Sequence, residues 1–160
     1  MAERRGAAEM RALARQLLDR GSFGDETVRR SAAIAEPLLV SGPGREPHSW
    51  LVGLTIGDRL VSVFQFLLDG SVMRYSSYQR RPGDLTHSPP ARDWLDAEVV
   101  KARASAKARS GERAEEVWLT YDRNPDRVVW AVLLRGSQAS RTVFVAGDAV
   151  YEPPSASTFG

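Results

Sequence analysis

The sequence predicts an α+β fold made of two αβββ units, each a helix followed by an antiparallel meander, with an extra amphipathic helix at the N-terminus. The first supporting observation is a repeat. Positions 50–66 align without a gap with positions 118–134, and five of the seventeen pairs are identical, where about one match is expected from average residue usage. Each copy opens on a Trp-Leu pair and continues past an Asp-Arg pair into an apolar strand. Two unrelated hairpins that share turn chemistry are the alternative.

The second observation is the pattern of residues 1–22, which predicts an amphipathic helix that ends at Gly21. Its apolar side chains recur at helical spacing between charged ones. The apolar face of such a helix must pack against another surface, either in this protein or in a partner. The candidate contacts with a partner are Met10, Leu13 and Leu17.

The third observation is turn chemistry within the first unit, residues 23–90. Asp25 can cap a helix from Glu26 to about Leu38, which Pro37 ends or unwinds. The pairs Gly57-Asp58 and Asp69-Gly70 favour tight hairpin turns. The predicted strands are Trp50–Ile56, Arg59–Leu68 and Ser71–Tyr78.

The second unit, residues 91–152, repeats this order. Its helix is predicted from Ala91 to about Ser110, and residues 153–160 are predicted to form a flexible tail. The predicted strands are Glu116–Tyr121, Arg127–Arg135, Ser140–Ala146 and a short Ala149–Glu152.

The central strand of each meander is apolar at successive positions, so both faces of the sheet are expected to be covered. The helices can cover one face. The second unit, a partner subunit or a ligand can cover the other, and the pattern does not choose among them.

A helix laid across a three-stranded meander, in tandem, resembles the cystatin-like and PepSY-like α+β domains. The resemblance rests on three segments and covers about residues 25–152. It implies a binding or inhibitory module and supplies no catalytic residue. Arg135-Gly136 replaces Asp69-Gly70 in the second copy, and no export signal is present, which departs from the PepSY-like pattern. The segments are Ser31–Glu36, Trp50–Val52 and Phe64–Gly70 followed by Val72.

Composition excludes several function classes. The chain has no cysteine, which removes disulfides, thiolate nucleophiles and sulfur-ligated zinc. No signal peptide or membrane-spanning run is present, so a cytoplasmic protein without membrane attachment is expected. The net charge is +2, and the 20 arginines against two lysines are typical of a GC-rich bacterial genome. The charge alone does not imply nucleic-acid binding.

No motif for catalysis, metal or cofactor binding is found, and no cofactor is expected. His48 and His87 lie in Pro-containing loops without a metal-ligand spacing. Ser41-Gly42-Pro43-Gly44 lacks the Lys-Ser/Thr of a phosphate loop. Asp58 and Asp126, which the repeat relates, stand where turns favour Asp for conformational reasons.

One polar segment, where the third strand enters the long connection, is a candidate contact for an anion or ligand. Arginine forks and tyrosine rings suit phosphates, carboxylates and bases. Nucleic acid is not the expected partner, because the predicted basic surface is small. The candidate residues are Arg74, Tyr78, Arg80, Arg81 and His87.

These observations together predict a non-enzymatic module that acts through protein contact, as a regulator, an immunity-type factor or an assembly component. The expected surfaces are the apolar sheet face, edge strands and the N-terminal helix, which a protein partner or a second copy can occupy. The alternative is a small-molecule binding protein or an enzyme with a pocket between a curved sheet and its helix.

Overall fold

The computed structural model describes residues 4–154. The chain divides into two compact units, of which unit 1 ends at Leu95 and unit 2 begins at Asp96. The helices are α1 (Ala7–Asp19), α2 (Glu26–Ser31), α3 (Ala91–Leu95) and α4 (Ala97–Ser105). The strands are β1 (Ala33–Ile34), β2 (Leu38–Ser41), β3 (Pro47–Ile56), β4 (Arg59–Leu67), β5 (Val72–Ser77), β6 (Arg113–Tyr121), β7 (Val128–Arg135), β8 (Ser140–Ala146) and β9 (Ala149–Tyr151).

The predicted fold class, a duplicated helix-plus-meander, is wrong because the molecule is dominated by β-sheet. Strands make up 39% and helices 22% of the structure, and the four helices are short. Residues 4–154 contain nine strands, and two of them, β1 and β2, lie where no strand was predicted. Unit 1 holds five of them and unit 2 holds four.

The main source of the difference is the segment predicted as a helix from Glu26 to Leu38. Its start is as predicted, because the Asp25 carboxylate accepts a hydrogen bond of 2.9 Å from the Val28 N–H. The helix ends at Ser31, and Ala32 is already extended. The following residues pair antiparallel with β3 as β1 and β2. Pairing with β3 satisfies their backbone groups and overrides a weak helical preference.

The meander of unit 1 is confirmed. β3, β4 and β5 are consecutive antiparallel neighbours. The turn at Gly57 has φ of 60° and the turn at Gly70 has φ of 95°, values that glycine adopts without strain. β1 and β2 lie along the other edge of β3.

Helices and sheet of unit 1 enclose one apolar core. Met10, Ala14 and Leu18 of α1 are fully buried in it. Phe64 lies at its centre, with its ring 5.3 Å from that of Phe23 and 4.9 Å from that of Tyr75. Aromatic contacts at these distances add to the stability that burial alone provides.

Unit 2 is a four-stranded antiparallel sheet, β6 to β9, with α4 packed against β6, β7 and β8. The single helix predicted over residues 91–110 is divided at Asp96, whose side chain accepts a hydrogen bond from the Glu98 N–H and so starts α4. Val129 and Ala131 are buried on one face of this sheet, and a larger group of buried side chains lies on the other. This larger group includes Leu119, Trp130, Val132, Val143 and Val145.

The two tryptophans of the repeat occupy different environments. Trp50 is 8% exposed within the core of unit 1, and its Nε1 donates to the Arg5 carbonyl. Trp118 is half-buried and lies on the sheet face opposite Leu119. The hairpins also differ, because a two-residue turn joins β3 to β4, whereas residues 122–127 join β6 to β7. The sequence repeat therefore does not correspond to equivalent packing.

Residues 7–19 of the predicted N-terminal segment form α1, which packs on the sheet of unit 1. Residues 155–160, most of the predicted flexible tail, lie outside the described part of the chain.

Candidate interaction site

The predicted anion-binding residues lie along β5 and the loop that follows it. Arg74 donates from Nε to the Gln65 Oε1 at 2.7 Å and from Nη1 to the Ser76 hydroxyl at 2.8 Å. Tyr78 is half-buried; burial raises the pKa of its hydroxyl, and the charge of Arg74 partly offsets that rise. Arg80, Arg81 and His87 are exposed in the loop.

The loop carries its own counter-charge. The Asp84 carboxylate accepts hydrogen bonds from the Thr86 hydroxyl and the Thr86 N–H, at 2.5 and 2.9 Å. Those bonds, followed by the charges of His87 and Arg80, lower the pKa of Asp84. A carboxylate among these cations weakens the attraction that the loop offers to an anion.

A row of polar side chains crosses the sheet of unit 1 beneath this region. The Gln65 amide donates to the Ser49 hydroxyl at 2.9 Å, and its oxygen accepts from Arg74. His48, a predicted loop residue, lies on β3 with Nδ1 2.9 Å from the same Ser49 hydroxyl. Gln65 and Ser49 are fully buried. Gln65 stands out in the sequence as a polar residue in an apolar strand, which was the only signal for this row.

The apolar strip of α1 faces the unit's own sheet. Met10 has no exposed surface, and Leu13 and Leu17 are partly buried against the same core. These three residues, predicted to contact a partner, are occupied by intramolecular packing. The opposite side of α1 is the side that faces outward, and it carries Arg11 and Ala12.

A groove of about 630 Å³ lies between the outward side of α1 and β1. Small side chains form much of both walls, with Ala8 and Ala12 on the helix and Ala33 on the strand. Walls of alanine allow the main chain of another segment to approach closely. The Ile34 side chain, 7% exposed, closes the groove toward the core.

Two arginines one helical turn apart give the groove its charge. Arg15 donates from Nη2 to the Ala32 carbonyl at 3.3 Å, which holds its guanidinium beside β1. Arg11 is 3.9 Å from the Glu36 carboxylate, and both side chains are more than half exposed. An exposed pair at this distance contributes little energy. Arg15 is also 3.8 Å from Asp19, which does not line the groove. The lining itself therefore carries two positive charges and one negative charge.

The strand that lines the groove is short and lies at the side of the sheet. Among the described residues β1 has one strand neighbour, β3. The Ala35 N–H donates to the Gly53 carbonyl at 2.9 Å. Because successive residues of an antiparallel pair direct their backbone groups to opposite edges, the N–H and C=O of Ile34 point away from β3. That direction is the one from which another strand adds.

Unit 1 also contains buried polar atoms that complete no hydrogen bond within residues 4–154. They are the hydroxyls of Ser62, Tyr75 and Ser88 and both amide atoms of Gln79. Burial raises the pKa of Tyr75, the neighbouring Ser62 hydroxyl lowers it, and the charge of Asp25 raises it. Ser62 and Tyr75 are thus near each other without the alignment of a hydrogen bond. Groups of this kind commonly hold water or a small polar ligand.

Unit 2 has a buried carboxylate at the β6–β7 connection. The Tyr151 hydroxyl donates to the Asp122 Oδ2 at 2.7 Å, and Asp122 is 5% exposed. Its other oxygen, Oδ1, has no hydrogen-bond partner among the described residues. Arg127 lies 4.0 Å from Oδ2 and compensates the buried charge.

No known protein family matches this chain. Comparison with curated proteins and with solved structures also found no match.

Three further features of residues 4–154 bear on what the protein can bind. A smaller cavity of about 340 Å³ lies at the β3–β4 turn and is lined by Asp58, Arg59 and Arg92 among others. Within this range, no three His, Asp or Glu side chains are grouped as a metal site requires. None of the described helices has the length and apolar character needed to cross a membrane.

Proposed function

We propose that the protein is a cytoplasmic, non-enzymatic interaction module, acting as a regulator, an immunity-type factor or an assembly component. The observation that carries the proposal is the groove between α1 and β1, which combines an open strand edge with small walls and two arginines. Strand edges and grooves beside helices are the surfaces by which many domains bind peptides.

Site-specific photo-crosslinking in the producing cell tests this function. A benzophenone side chain at Ala12, in the groove wall, is compared with one at Ala102, an exposed position on α4. We expect a discrete crosslinked protein from position 12 that position 102 does not produce. The additional substitution Ala8→Trp fills the groove and should remove that product. Equal products from both positions would contradict the proposed site.

A second candidate function is small-molecule binding, or an enzyme with a pocket between sheet and helix. The unpaired buried atoms of Ser62, Tyr75 and Gln79 favour it, because they offer both donors and acceptors inside unit 1. Native mass spectrometry of protein purified from its own host separates the two candidates. A retained small molecule supports the second function, and a retained polypeptide supports the first.

A further inference from the structure

We infer that the occupant of the α1–β1 groove is an extended segment of a partner protein that carries acidic side chains and adds to β1 as a further strand. This inference rests on the proposed function and specifies the chemistry of the partner. Three observations support it: the direction of the Ile34 backbone, the small walls, and the charge of the groove.

The backbone of Ile34 indicates that the bound partner segment is extended. Ile34 directs one donor and one acceptor away from β3, and the Ala32 carbonyl on the same strand segment is already held by Arg15. An added strand offers a complementary donor and acceptor at Ile34, whereas a helix keeps its backbone groups for itself. A strand added here also covers an edge that is otherwise a site of unwanted pairing.

The small side chains of the groove walls allow the added strand to lie close to β1. Ala8, Ala12 and Ala33 present only methyl groups to the groove. A strand beside β1 lies about 4.8 Å from it, and larger side chains at these positions would obstruct that approach. Side chains of the added strand that point toward α1 would face Ala12 and the two arginines of the helix wall.

The charge selects acidic side chains. Arg11 is 56% exposed and pairs only weakly with Glu36, so it can turn to another carboxylate at little cost. Arg15 is anchored at the Ala32 carbonyl and sits 3.8 Å from Asp19, with its side chain 42% exposed. A carboxylate on the added strand reaches both guanidinium groups, which are adjacent on the helix at a spacing of four residues.

The test is an NMR titration of the full ¹⁵N-labelled chain with three capped heptapeptides. The first alternates glutamate and valine, the second replaces glutamate by lysine, and the third is the glutamate peptide with alternate backbone amides methylated. We expect the first peptide to shift the amides of Ala12, Ala33 and Ile34 saturably and to slow hydrogen exchange at Ile34. The lysine and methylated peptides should bind at least about fivefold more weakly, because they lose the charge pairs or the strand hydrogen bonds.

A matched pair of variants checks the role of charge. Arg11→Glu changes a groove residue, whereas Arg20→Glu makes the same change at the exposed C-terminal end of α1, outside the groove. Arg11→Glu should lower the affinity for the glutamate peptide at least about fivefold and raise the affinity for the lysine peptide. Arg20→Glu should change neither affinity appreciably.

Several outcomes overturn the inference. One is the absence of shifts at millimolar peptide, and another is equal binding of the methylated peptide. A third is self-association: if raising the concentration of the chain alone shifts the same amides, a second copy occupies the groove. If crosslinking at Ala12 succeeds while the glutamate peptide fails, the proposed function stands and only the acidic-strand assignment is wrong.

Discussion

Arg141 holds both carboxylate oxygens of Glu112, with Nε 2.8 Å from Oε2 and Nη2 3.0 Å from Oε1. This two-point contact joins β8 to the turn before β6, and the Arg109 N–H adds a third hydrogen bond of 2.7 Å to the same carboxylate. Paired geometry of this kind is stronger than a single ion pair. Because this contact stabilises the ionised form of Glu112, it predicts that the stability of the protein depends on acid pH.

Glu112→Gln should remove part of the acid dependence of stability. Hydrogen bonds from Arg141, then from the Arg109 N–H, lower the pKa of Glu112 from 4.5 to about 2. A carboxylate with a lowered pKa stabilises the folded state above the unfolded value, and this contribution is lost as the pH falls from 4.5 toward 2. Thermal unfolding at pH 7 should show a decrease in Tm of a few degrees for the variant, with a smaller difference from wild type near pH 2.

The control is Glu115→Gln, which removes the carboxylate paired with Arg135. Those side chains are 38% and 47% exposed, so solvent screens their interaction. Equal losses of Tm for the two variants would contradict a special role for Glu112.

The Tyr151 hydroxyl should ionise at a higher pH than an ordinary tyrosine. Burial, followed by the hydrogen bond to Asp122, raises the pKa of the Tyr151 hydroxyl to about 12. Because the unfolded chain releases this proton near pH 10, stability should fall as the pH rises above 10. Absorbance titration at alkaline pH should resolve a tyrosine transition near pH 12 that Tyr151→Phe removes. The same variant should lose about 1–3 kcal/mol at neutral pH, since Asp122 stays buried.

Asp122→Asn separates the two causes of the Tyr151 shift. The amide oxygen keeps an acceptor but removes the negative charge, so the late ionisation should move toward pH 10. An unchanged titration curve would show that burial alone controls Tyr151.

Phe64→Ala should strongly destabilise unit 1. Phe64 is fully buried between Phe23, Phe66 and Tyr75. Removing a buried aromatic ring leaves a cavity and costs about 3–5 kcal/mol in the free energy of unfolding. Urea titration of the variant measures this loss. Leu67→Ala on the same strand, at 40% exposure, should stay within about 0.5 kcal/mol of wild type.

Gly53→Ala should destabilise unit 1, although the residue lies in a regular strand. A methyl group there would lie 2.9 Å from Leu95 Cδ1 and 3.0 Å from Leu60 Cδ1. Leu60 is 1% exposed and cannot move freely, so we expect a cost of about 1–3 kcal/mol in urea unfolding. The double variant Gly53→Ala/Leu95→Ala should regain little of the lost unfolding free energy if the contact with Leu60 causes most of the loss.

Gly42→Ala provides the contrast, since the methyl group there meets the Glu46 carboxylate. Glu46 is exposed and can swing into solvent. The unfolding free energy should therefore change by less than about 0.5 kcal/mol, despite the closer contact. A larger loss at Gly42 than at Gly53 would contradict the view that the mobility of the neighbour decides the cost.

Local signals predicted much of the framework. The helical spacing of apolar residues in the N-terminal segment predicted α1, but Met10, expected at a partner, is buried in the core of unit 1. The Gly57-Asp58 and Asp69-Gly70 pairs correctly mark the hairpins of unit 1, because only a few residues adopt the required φ. The candidate site was not predicted. Its walls come from residues about twenty positions apart, and each alanine and arginine there is of an ordinary type for an exposed helix.

The sequence by itself determined the hairpin positions, the amphipathic helix and the exclusion of thiol chemistry, since each depends on neighbouring residues or on composition. Only the tertiary structure decided that residues 33–34 and 38–41 are strands, that Trp50 and Trp118 differ in environment, and that a groove lined by two arginines borders β1. The physical reason is that backbone pairing with β3 competes with helix formation in residues 32–38. Which of the two conformations forms depends on β3, a strand more than ten residues away in the sequence.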